Sequence, residues 1–507
     1  MGHKQLVINL VSNIIAFSTS FLISFVLTPY LIIHIGKEAY SFYPMSNNLI
    51  GYLTIVTLAL NSMVSRFISV NYNQGEFNEA QSYYSSAFLA NALVILLLLF
   101  PITFFINNID NILNIPIGII EDVKTLFTLV FVSLLIDLAT SVFGVATFVR
   151  NRMELRALSE IFKSTFRIIL YVILFSFFEI SLVFIGIVAI GVSMLNFLVQ
   201  YLLSKRLLPQ LSISWSTFSL LAIKALLSSG FWNVVNALGV SLLLGMALFL
   251  TNRYLGTEAS GNLSLALLLP AFITGIISMI ASVLIPRVTQ VHATNNHEDL
   301  VKEVVFSQTI LSFVTTVPIS IVIIFSDEFF KLWIPSEYSF LLTELSIILL
   351  LPLLIHGNMW CVYSVNIVIN KLKKLSLLLL TLGVLNIIFC ILWFQFFSIN
   401  IYVIPLFSIV INVIYYLLFV PVITARNLNI NTFFYFPSIF KSILFAFVFI
   451  CTCLYLKSYI SIVYWFDLLF FSVVFGLFGI VVHCFIIMSP KEFILSYIAL
   501  KRSNPGC

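Results

Sequence analysis

The sequence predicts an all-α integral membrane protein with about 14 transmembrane helices, arranged as two pseudo-symmetric six-helix halves plus two C-terminal helices. Only 9% of its 507 residues are charged, far below the roughly 25% of soluble domains. The apolar runs are about 20 residues or longer, which is the length of a transmembrane helix and about twice that of a barrel strand. Because every backbone group in hydrocarbon needs an internal partner, these runs are expected to be helical.

Polar breaks divide the chain into fourteen apolar runs. The breaks at residues 107–111, 150–152 and 327–328 are too polar for hydrocarbon, so we expect each of them to end a helix. The division near Glu179 leaves room only for a tight turn. The predicted helices cover residues of about 6–34, 42–70, 82–106, 121–149, 158–179, 181–203, 218–252, 262–291, 304–326, 341–369, 374–397, 400–424, 436–457 and 463–488.

The basic residues predict the orientation in the membrane, because Lys and Arg concentrate in cytoplasmic loops. With fourteen helices, 20 of the 25 basic residues fall on one side, which also holds both termini. Residues 150–167 contribute five of them. We therefore expect both termini in the cytoplasm. Basic residues spread through short loops give no sign of a nucleic-acid partner. The opposite side holds only Lys37, Lys124, Arg253, Lys331 and Lys457.

A repeated segment predicts two related halves. Residues 36–39 (GKEA) and 256–259 (GTEA) each follow a long apolar run, at an offset of 220 residues. Six helices per half is an even number, so the halves share one orientation about an axis along the membrane normal. The predicted domains are an N-terminal half at 1–212, a C-terminal half at 213–428, and two further helices with a cytoplasmic tail at 429–507. Nearly the same offset relates Asn13 to Asn233, Arg66 to Arg287, and Asp137 to His356.

Two titratable residues inside the predicted helices are candidates for coupling transport to a gradient. Asp137 lies 13 residues from both Lys124 and Arg150, which is near mid-membrane at about 1.5 Å per residue. Such a carboxylate can bind a proton, a cation or a sugar hydroxyl, or it can be a structural acid paired with a neighbouring helix. His356 has the matching position in the second half, where it is either a titrating group or a packing residue.

Other polar residues are candidates for a substrate-binding cavity. Arg66 and Arg287 end the second and eighth helices. A guanidinium group binds phosphate in a bidentate manner, but a basic residue at a helix end also commonly reaches the lipid headgroups. Amide side chains bind sugar hydroxyls or tie helices together, and an indole can stack on a sugar ring. The remaining candidates are Asn13, Asn233, Trp232 and Asn61.

The sequence lacks the motifs of several kinds of catalysis. The sequence has no G-x-x-x-x-G-K-[ST] loop and no H-E-x-x-H pair, and its six cysteines show no metal-ligand spacing. The external loops lack the grouped carboxylates of a membrane glycosyltransferase. We therefore predict a protein that is not an enzyme and that needs neither a cofactor nor a metal.

A family resemblance rests on layout and on short segments. The fourteen helices, the G-x-E-A segments after the first and seventh helices, the Arg residues that end the second and eighth, and segments such as 35–40 (IGKEAY) and 66–69 (RFIS) extend over essentially the whole chain. Together they resemble the Wzx-type polysaccharide repeat-unit flippases of the multidrug/oligosaccharidyl-lipid/polysaccharide exporter superfamily.

The resemblance implies a function and partners. Such flippases move undecaprenyl-diphosphate-linked oligosaccharides across the bacterial cytoplasmic membrane by alternating access, for O-antigen, capsule or exopolysaccharide assembly. It implies cationic cavity residues for the diphosphate, matched in position by Arg66 and Arg287. It also implies membrane lipid and the polymerase and glycosyltransferases of the pathway as partners. The alternatives are a cation-coupled multidrug exporter, a lipid II flippase and a membrane glycosyltransferase or polymerase.

Overall fold

Over the residues that the structure describes, the fold is built from fourteen long helical segments. A computed structural model describes residues 3–179, 181–293, 297–397 and 400–487. Two of the segments contain a π-helical turn, at Ser241–Gly245 and Ile414–Phe419. The bounds are α1 His3–Ile35, α2 Lys37–Gln74, α3 Phe77–Asn107, α4 Ile117–Val149, α5 Met153–Phe177, α6 Val183–Leu207, α7 Leu220–Leu255, α8 Thr257–His292, α9 His297–Trp333, α10 Phe340–Val368, α11 Lys373–Phe396, α12 Val403–Asn427, α13 Phe436–Lys457 and α14 Trp465–Ile487.

The predicted fold class is confirmed. Among the described residues, 13 helical segments are long and apolar enough to cross a membrane. The fourteenth, α5, has the length of a span but carries charged residues in its middle, including Glu160, Lys163 and Arg167. A charged helix is stable in a membrane only if its polar face meets other polar groups inside the protein.

One predicted break is wrong. Residues 327–328 do not end a helix, because α9 continues through them to Trp333. Both carboxylates have partners that remove the cost of bare charge. Asp327 accepts a hydrogen bond from Tyr338 at 2.6 Å and pairs with Lys331, while Glu328 pairs with Lys457 at 2.6 Å.

The two copies of the repeated segment share an unusual backbone conformation. Gly36 has φ 81° and Gly256 has φ 90°, a region that residues with a Cβ rarely adopt. In each copy the glycine separates two long helices that follow each other without a further linker. Glycine at this position therefore lets the chain reverse at once, and the equivalence extends from sequence to geometry.

The chain forms two compact units, one within Met1–Ser264 and Ser376–Ile401, the other within Leu265–Leu375 and Tyr402–Cys507. Close backbone approach explains why α7 and α11 join the first unit. A methyl group at Gly230 would lie 2.1 Å from the carbonyl oxygen of Ala59 on α2, and one at Gly383 would lie 2.8 Å from that of Gly239. Small residues permit such approach between membrane helices. The units differ from the predicted domains, whose boundaries describe duplication and remain a prediction.

The second unit contains the two C-terminal helices, packed on α9. Ser312 and Ser442 are 2.7 Å apart across this interface, and Lys457 reaches Glu328 near its far end. An apolar cluster fills the space between these contacts, including Phe325, Phe445, Phe449, Cys453, Leu468 and Phe475. The last two helices are therefore integral to the packing of this unit.

We predict that Gly230→Ala destabilises the protein, because the new methyl group has no room against Ala59. Overpacking of this kind costs about 1–3 kcal/mol. The matched control is Gly51→Ala on α2, where nothing lies within 4 Å of the added methyl group. There the better helix propensity of alanine should slightly raise stability. Thermal unfolding of the purified variants measures both effects, and equal midpoints would contradict the close packing of α2 and α7.

Candidate functional site

A polar cavity lies inside the first unit. Its volume is about 280 Å³, and it is lined by side chains of α2, α4, α5 and α6. Polar cavities inside a membrane protein are costly, so they usually mark a substrate or ion path. Its polar lining residues are Tyr43, Asn47, Ser133, Asp137, Lys163, Arg167, Tyr171, Ser193 and Asn196.

Asp137 is held at this cavity by two donors from α6. Ser193 Oγ donates a hydrogen bond to Oδ2 at 2.9 Å, and Asn196 Nδ2 donates to Oδ1 at 3.3 Å. Residues three apart on a helix share a face, so α6 presents both donors together. The side-chain amide oxygen of Asn196, Oδ1, is buried and accepts no hydrogen bond from the described residues. The carboxylate is thus fixed in orientation, and an unused acceptor lies beside it.

The side of the cavity formed by α5 is cationic. Lys163, Arg167 and Tyr171 follow one another at intervals of four along α5, which places them on one face. Lys163 Nζ lies 2.8 Å from Glu160 and is therefore neutralised. Arg167 is half-buried, and it has neither a hydrogen bond nor an ion pair with any residue that the structure describes.

Lys163 and Arg167 are not among the predicted site residues, because the charge pattern assigns them to a cytoplasmic connection. Helix α5 begins at Met153, so Arg167 lies about 21 Å along the helix from its start. The signal that would have found them is the spacing of Lys163, Arg167 and Tyr171. Polar and aromatic residues four apart in a transmembrane helix indicate one face turned towards the protein interior.

The two predicted headgroup arginines differ in their surroundings. Arg66 on α2 is exposed, and the described part of the chain offers it no hydrogen bond or ion pair. Arg287 on α8 is also exposed, but its Nε lies 2.7 Å from Glu303 Oε1, and its guanidinium lies 5.1 Å from the ring centre of Phe306. Arg287 must therefore leave or share Glu303 to bind a phosphate, whereas Arg66 is already available.

The predicted amide and aromatic residues have mixed surroundings. Asn61 accepts a hydrogen bond from Asn91 at 3.0 Å, and Asn91 also donates to Ser141 at 2.9 Å, which links α2, α3 and α4. This network matches the structural interpretation of Asn61. Half-buried Asn233 and Trp232 are neighbours on α7. The side chain of Asn13 lies outside the described residues.

His356 packs among aromatic rings. Its ring centroid lies 4.1 Å from that of Tyr416 and 5.0 Å from that of Trp360, with both pairs stacked. In the described part of the chain it has no hydrogen-bond partner and no charged partner. Both features match the packing interpretation, whereas Asp137 has an ordered polar environment. The structure thus does not give the two repeat-related residues equivalent surroundings.

The two repeated segments contact each other through what we call the repeat clasp, formed by Lys37, Glu38, Ser41, Thr257, Glu258 and Ser260. Lys37 Nζ lies 3.5 Å from Glu258 Oε1, and Thr257 Oγ1 donates to Glu38 Oε2 at 3.2 Å. At an offset of 220, residue 37 is equivalent to residue 257, and residue 38 to residue 258. Each contact therefore joins the first position of one copy to the second position of the other copy, as in a two-fold contact. In addition, Ser260 Oγ donates a hydrogen bond to Ser41 Oγ at 3.2 Å.

A family model and a curated relative each match more than half of the chain. The family described as "Polysaccharide biosynthesis protein" matches residues 6–292. The uncharacterized membrane protein EpsK of Bacillus subtilis (strain 168) is 27% identical over 332 residues, which is 66% of this chain and 66% of the relative.

Solved structures show the same fold. The lipid II flippase MurJ, in an inward closed conformation, matches with a TM-score of 0.65 and 13% identity, over 94% of this chain and 98% of its own. An inward-facing MATE family transporter of the MOP superfamily matches with a TM-score of 0.64 and 12% identity, over 84% and 98%. Together with the family match over residues 6–292, these likenesses of fold confirm the predicted resemblance.

We predict that the cavity around Asp137 contains water. A cysteine at Asn196 should then react with a water-soluble maleimide, because a thiol forms its reactive thiolate only in a polar environment. The control is a cysteine at Met194, which is 58% exposed on α6 but does not line the cavity. In lipid its thiol should stay unreactive. Labelling in membranes, after replacement of the native cysteines, measures both rates; faster labelling at Met194 would contradict a wet cavity.

Proposed function

The chain belongs to the polysaccharide biosynthesis protein family, and on that premise we propose that it translocates a lipid-linked oligosaccharide across the bacterial cytoplasmic membrane. The substrate is an undecaprenyl-diphosphate-linked repeat unit of a surface polysaccharide such as O-antigen, capsule or exopolysaccharide. The protein acts as a transporter and catalyses no covalent step. The observation that carries this proposal is the family match over residues 6–292, combined with a transporter fold.

The physics of the substrate supports this proposal. A polyprenyl tail is stable in hydrocarbon, whereas sugars and a diphosphate lose many hydrogen bonds there. A flippase needs polar groups inside its helical body and can leave the tail in the lipid. The cavity with Asp137 and Arg167 is an example of such a polar interior.

Candidate roles follow for the polar residues. We propose Asp137 as the carboxylate that couples transport to a proton gradient, because two donors orient it at a cavity. Arg66 is the stronger candidate for the diphosphate, since Arg287 is engaged by Glu303. Asn233 and Trp232 remain proposed sugar contacts.

The repeat clasp suggests how access alternates. By the distribution of basic residues it lies on the external side, where an exporter must open to release its substrate. It consists of one ion pair and two hydrogen bonds. Exposed ion pairs contribute only about 0–1 kcal/mol, so such a contact can open at low cost. We propose that the clasp separates when the external side opens.

A lipid II flippase is the second candidate function, because the fold match to MurJ extends over 94% of the chain. Lipid II is also a polyprenyl-diphosphate-linked glycan, so the same polar interior suits it. The two functions differ in which glycan accumulates when the protein is lost.

Deletion of the gene should cause a lipid-linked repeat unit to accumulate in the cytoplasmic leaflet, with loss of the surface polysaccharide. Mass spectrometry of extracted lipids identifies the glycan, and a periplasmic glycosidase tests its leaflet. Wild-type protein expressed from a plasmid is the positive control. Normal polysaccharide in the deletion strain would overturn the proposal, and accumulation of lipid II would favour the second candidate.

The same strain tests the coupling role. Asp137→Asn keeps the size of the side chain and one acceptor oxygen but removes the titrating group, so polysaccharide should fall by tenfold or more if coupling needs the carboxylate. Asn61→Ala is the structural comparison: it should lower thermal stability through loss of its bond with Asn91. Full activity of Asp137→Asn with lowered stability would instead assign Asp137 a packing role.

A disulfide across the repeat clasp should stop transport. Ser41 and Ser260 are buried with their Oγ atoms 3.2 Å apart, a separation compatible with a disulfide after Ser41→Cys and Ser260→Cys. Oxidation should abolish transport, and reduction should restore it, because α2 and α8 can no longer separate. Each single variant in the same cysteine-free background is the control. Undiminished transport by fully cross-linked protein would show that the clasp does not open.

A further inference from the structure

We propose that the cavity around Asp137 is a binding site for one acidic sugar unit, with Arg167 as the ligand of its oxyanion. The oxyanion is either the carboxylate of a hexuronic acid or the phosphate of a sugar 1-phosphate. The inference rests on the proposed function only in assigning this unit to the transported glycan.

Arg167 is the first argument, because it is a cation without a partner. It lies within a transmembrane helix, where an unpaired charge is expensive. Lys163, one turn away, is satisfied by Glu160 at 2.8 Å, whereas the described residues give Arg167 no such carboxylate. A guanidinium group has five N–H donors in a planar fork, which matches the two oxygens of a carboxylate or phosphate. The cavity therefore holds free donors suited to an oxyanion.

Acceptors for hydroxyl groups form the second argument. The Asn196 carbonyl oxygen is buried and receives no hydrogen bond within the described part of the chain. Asp137 has two donors, but a carboxylate has about four lone-pair sites, so it can accept more. Asn47 adds an exposed amide from α2. A ligand that satisfies these groups must carry several O–H donors.

The distribution of charge sets the orientation of this ligand. Because Glu160 neutralises Lys163, Asp137 and Arg167 remain as the opposite charges of the lining. Arg167 lies one turn, about 6 Å, further along α5 than Lys163. A hydroxylated anion fits this arrangement, with its oxyanion at Arg167 and its hydroxyls towards Asp137. A lipophilic cation does not fit, since Arg167 would repel it.

The size of the cavity limits the ligand to one sugar unit. Its volume of about 280 Å³ lies just below the roughly 300–1,000 Å³ of pockets for drug-sized ligands. That is enough for one pyranose with its charged group, but not for a chain of several sugars. The site therefore binds one acidic sugar unit of the glycan at a time.

The test is equilibrium binding to the purified full-length protein in nanodiscs. Binding is measured as the rise in the thermal unfolding midpoint that the ligand causes. The probes are glucuronate and glucose 1-phosphate, with glucose as the neutral control. We expect one or both anions to stabilise the wild type, and glucose to do so much less. Stabilisation by glucuronate alone identifies a sugar acid as the ligand, whereas stabilisation by glucose 1-phosphate alone identifies the phosphate.

Arg167→Gln should weaken binding about tenfold to a hundredfold, as expected for loss of a charge-assisted hydrogen bond. The matched control is Arg156→Gln, which removes the same charge from an exposed position of α5 outside the cavity. Arg167→Lys keeps the charge without the fork and should bind with intermediate affinity. It also serves if the glutamine variant does not fold.

The proposal is overturned if neither anion stabilises the wild type, or if Arg167→Gln binds as well as Arg156→Gln. Its failure is distinguishable from failure of the proposed function. Binding uses no transport assay, so an anion site in a protein whose deletion leaves polysaccharide intact would refute only the flippase. Lost polysaccharide with no anion binding would refute only the site.

Discussion

The structure depends on one constraint: a polar group inside a membrane must find its partner within the protein. Hydrocarbon offers no hydrogen bonds, so each unmet donor or acceptor costs stability directly. The chain meets this constraint with contacts between helices. Asn91 joins Asn61 and Ser141, and Lys457 neutralises Glu328. The ion pair with Lys457, together with the contacts of Asp327 to Lys331 and Tyr338, explains why α9 can carry carboxylates and remain one continuous helix.

The departures from this rule coincide with the proposed binding site. Arg167 and the carbonyl oxygen of Asn196 lack partners among the described residues, and both line the same cavity as Asp137. A membrane protein that keeps unused donors and acceptors together loses stability unless water or a ligand satisfies them. The same cavity accounts for Lys163 and Arg167, which lie within α5 and line it.

The repeat clasp connects the repeated segments to the proposed mechanism. Gly36 and Gly256 share a positive φ, so each copy reverses direction in the same manner and presents the same side chains. Contact of the copies then places Lys37 against Glu258 and Glu38 against Thr257. In the proposed transport cycle, this weak and nearly symmetric contact is the place where the external side opens.

Composition was sufficient to predict a helical membrane protein, because 9% charge cannot cover a water-facing surface. Polar breaks predicted the fourteen segments. Because the rise per residue of a helix is constant, the distance of Asp137 from Lys124 and Arg150 along the chain placed it inside α4. Counting polar residues wrongly predicted a helix end at residues 327–328, because it could not show how their charges are paired. Whether residues 327–328 end a helix depends on Lys331, Tyr338 and Lys457, which approach them only after folding. Likewise, the sequence shows how many cations a segment holds but not which face they occupy, nor that Arg167 shares a cavity with Asp137. Those facts depend on contacts between residues far apart in the chain, which only the packed helices establish.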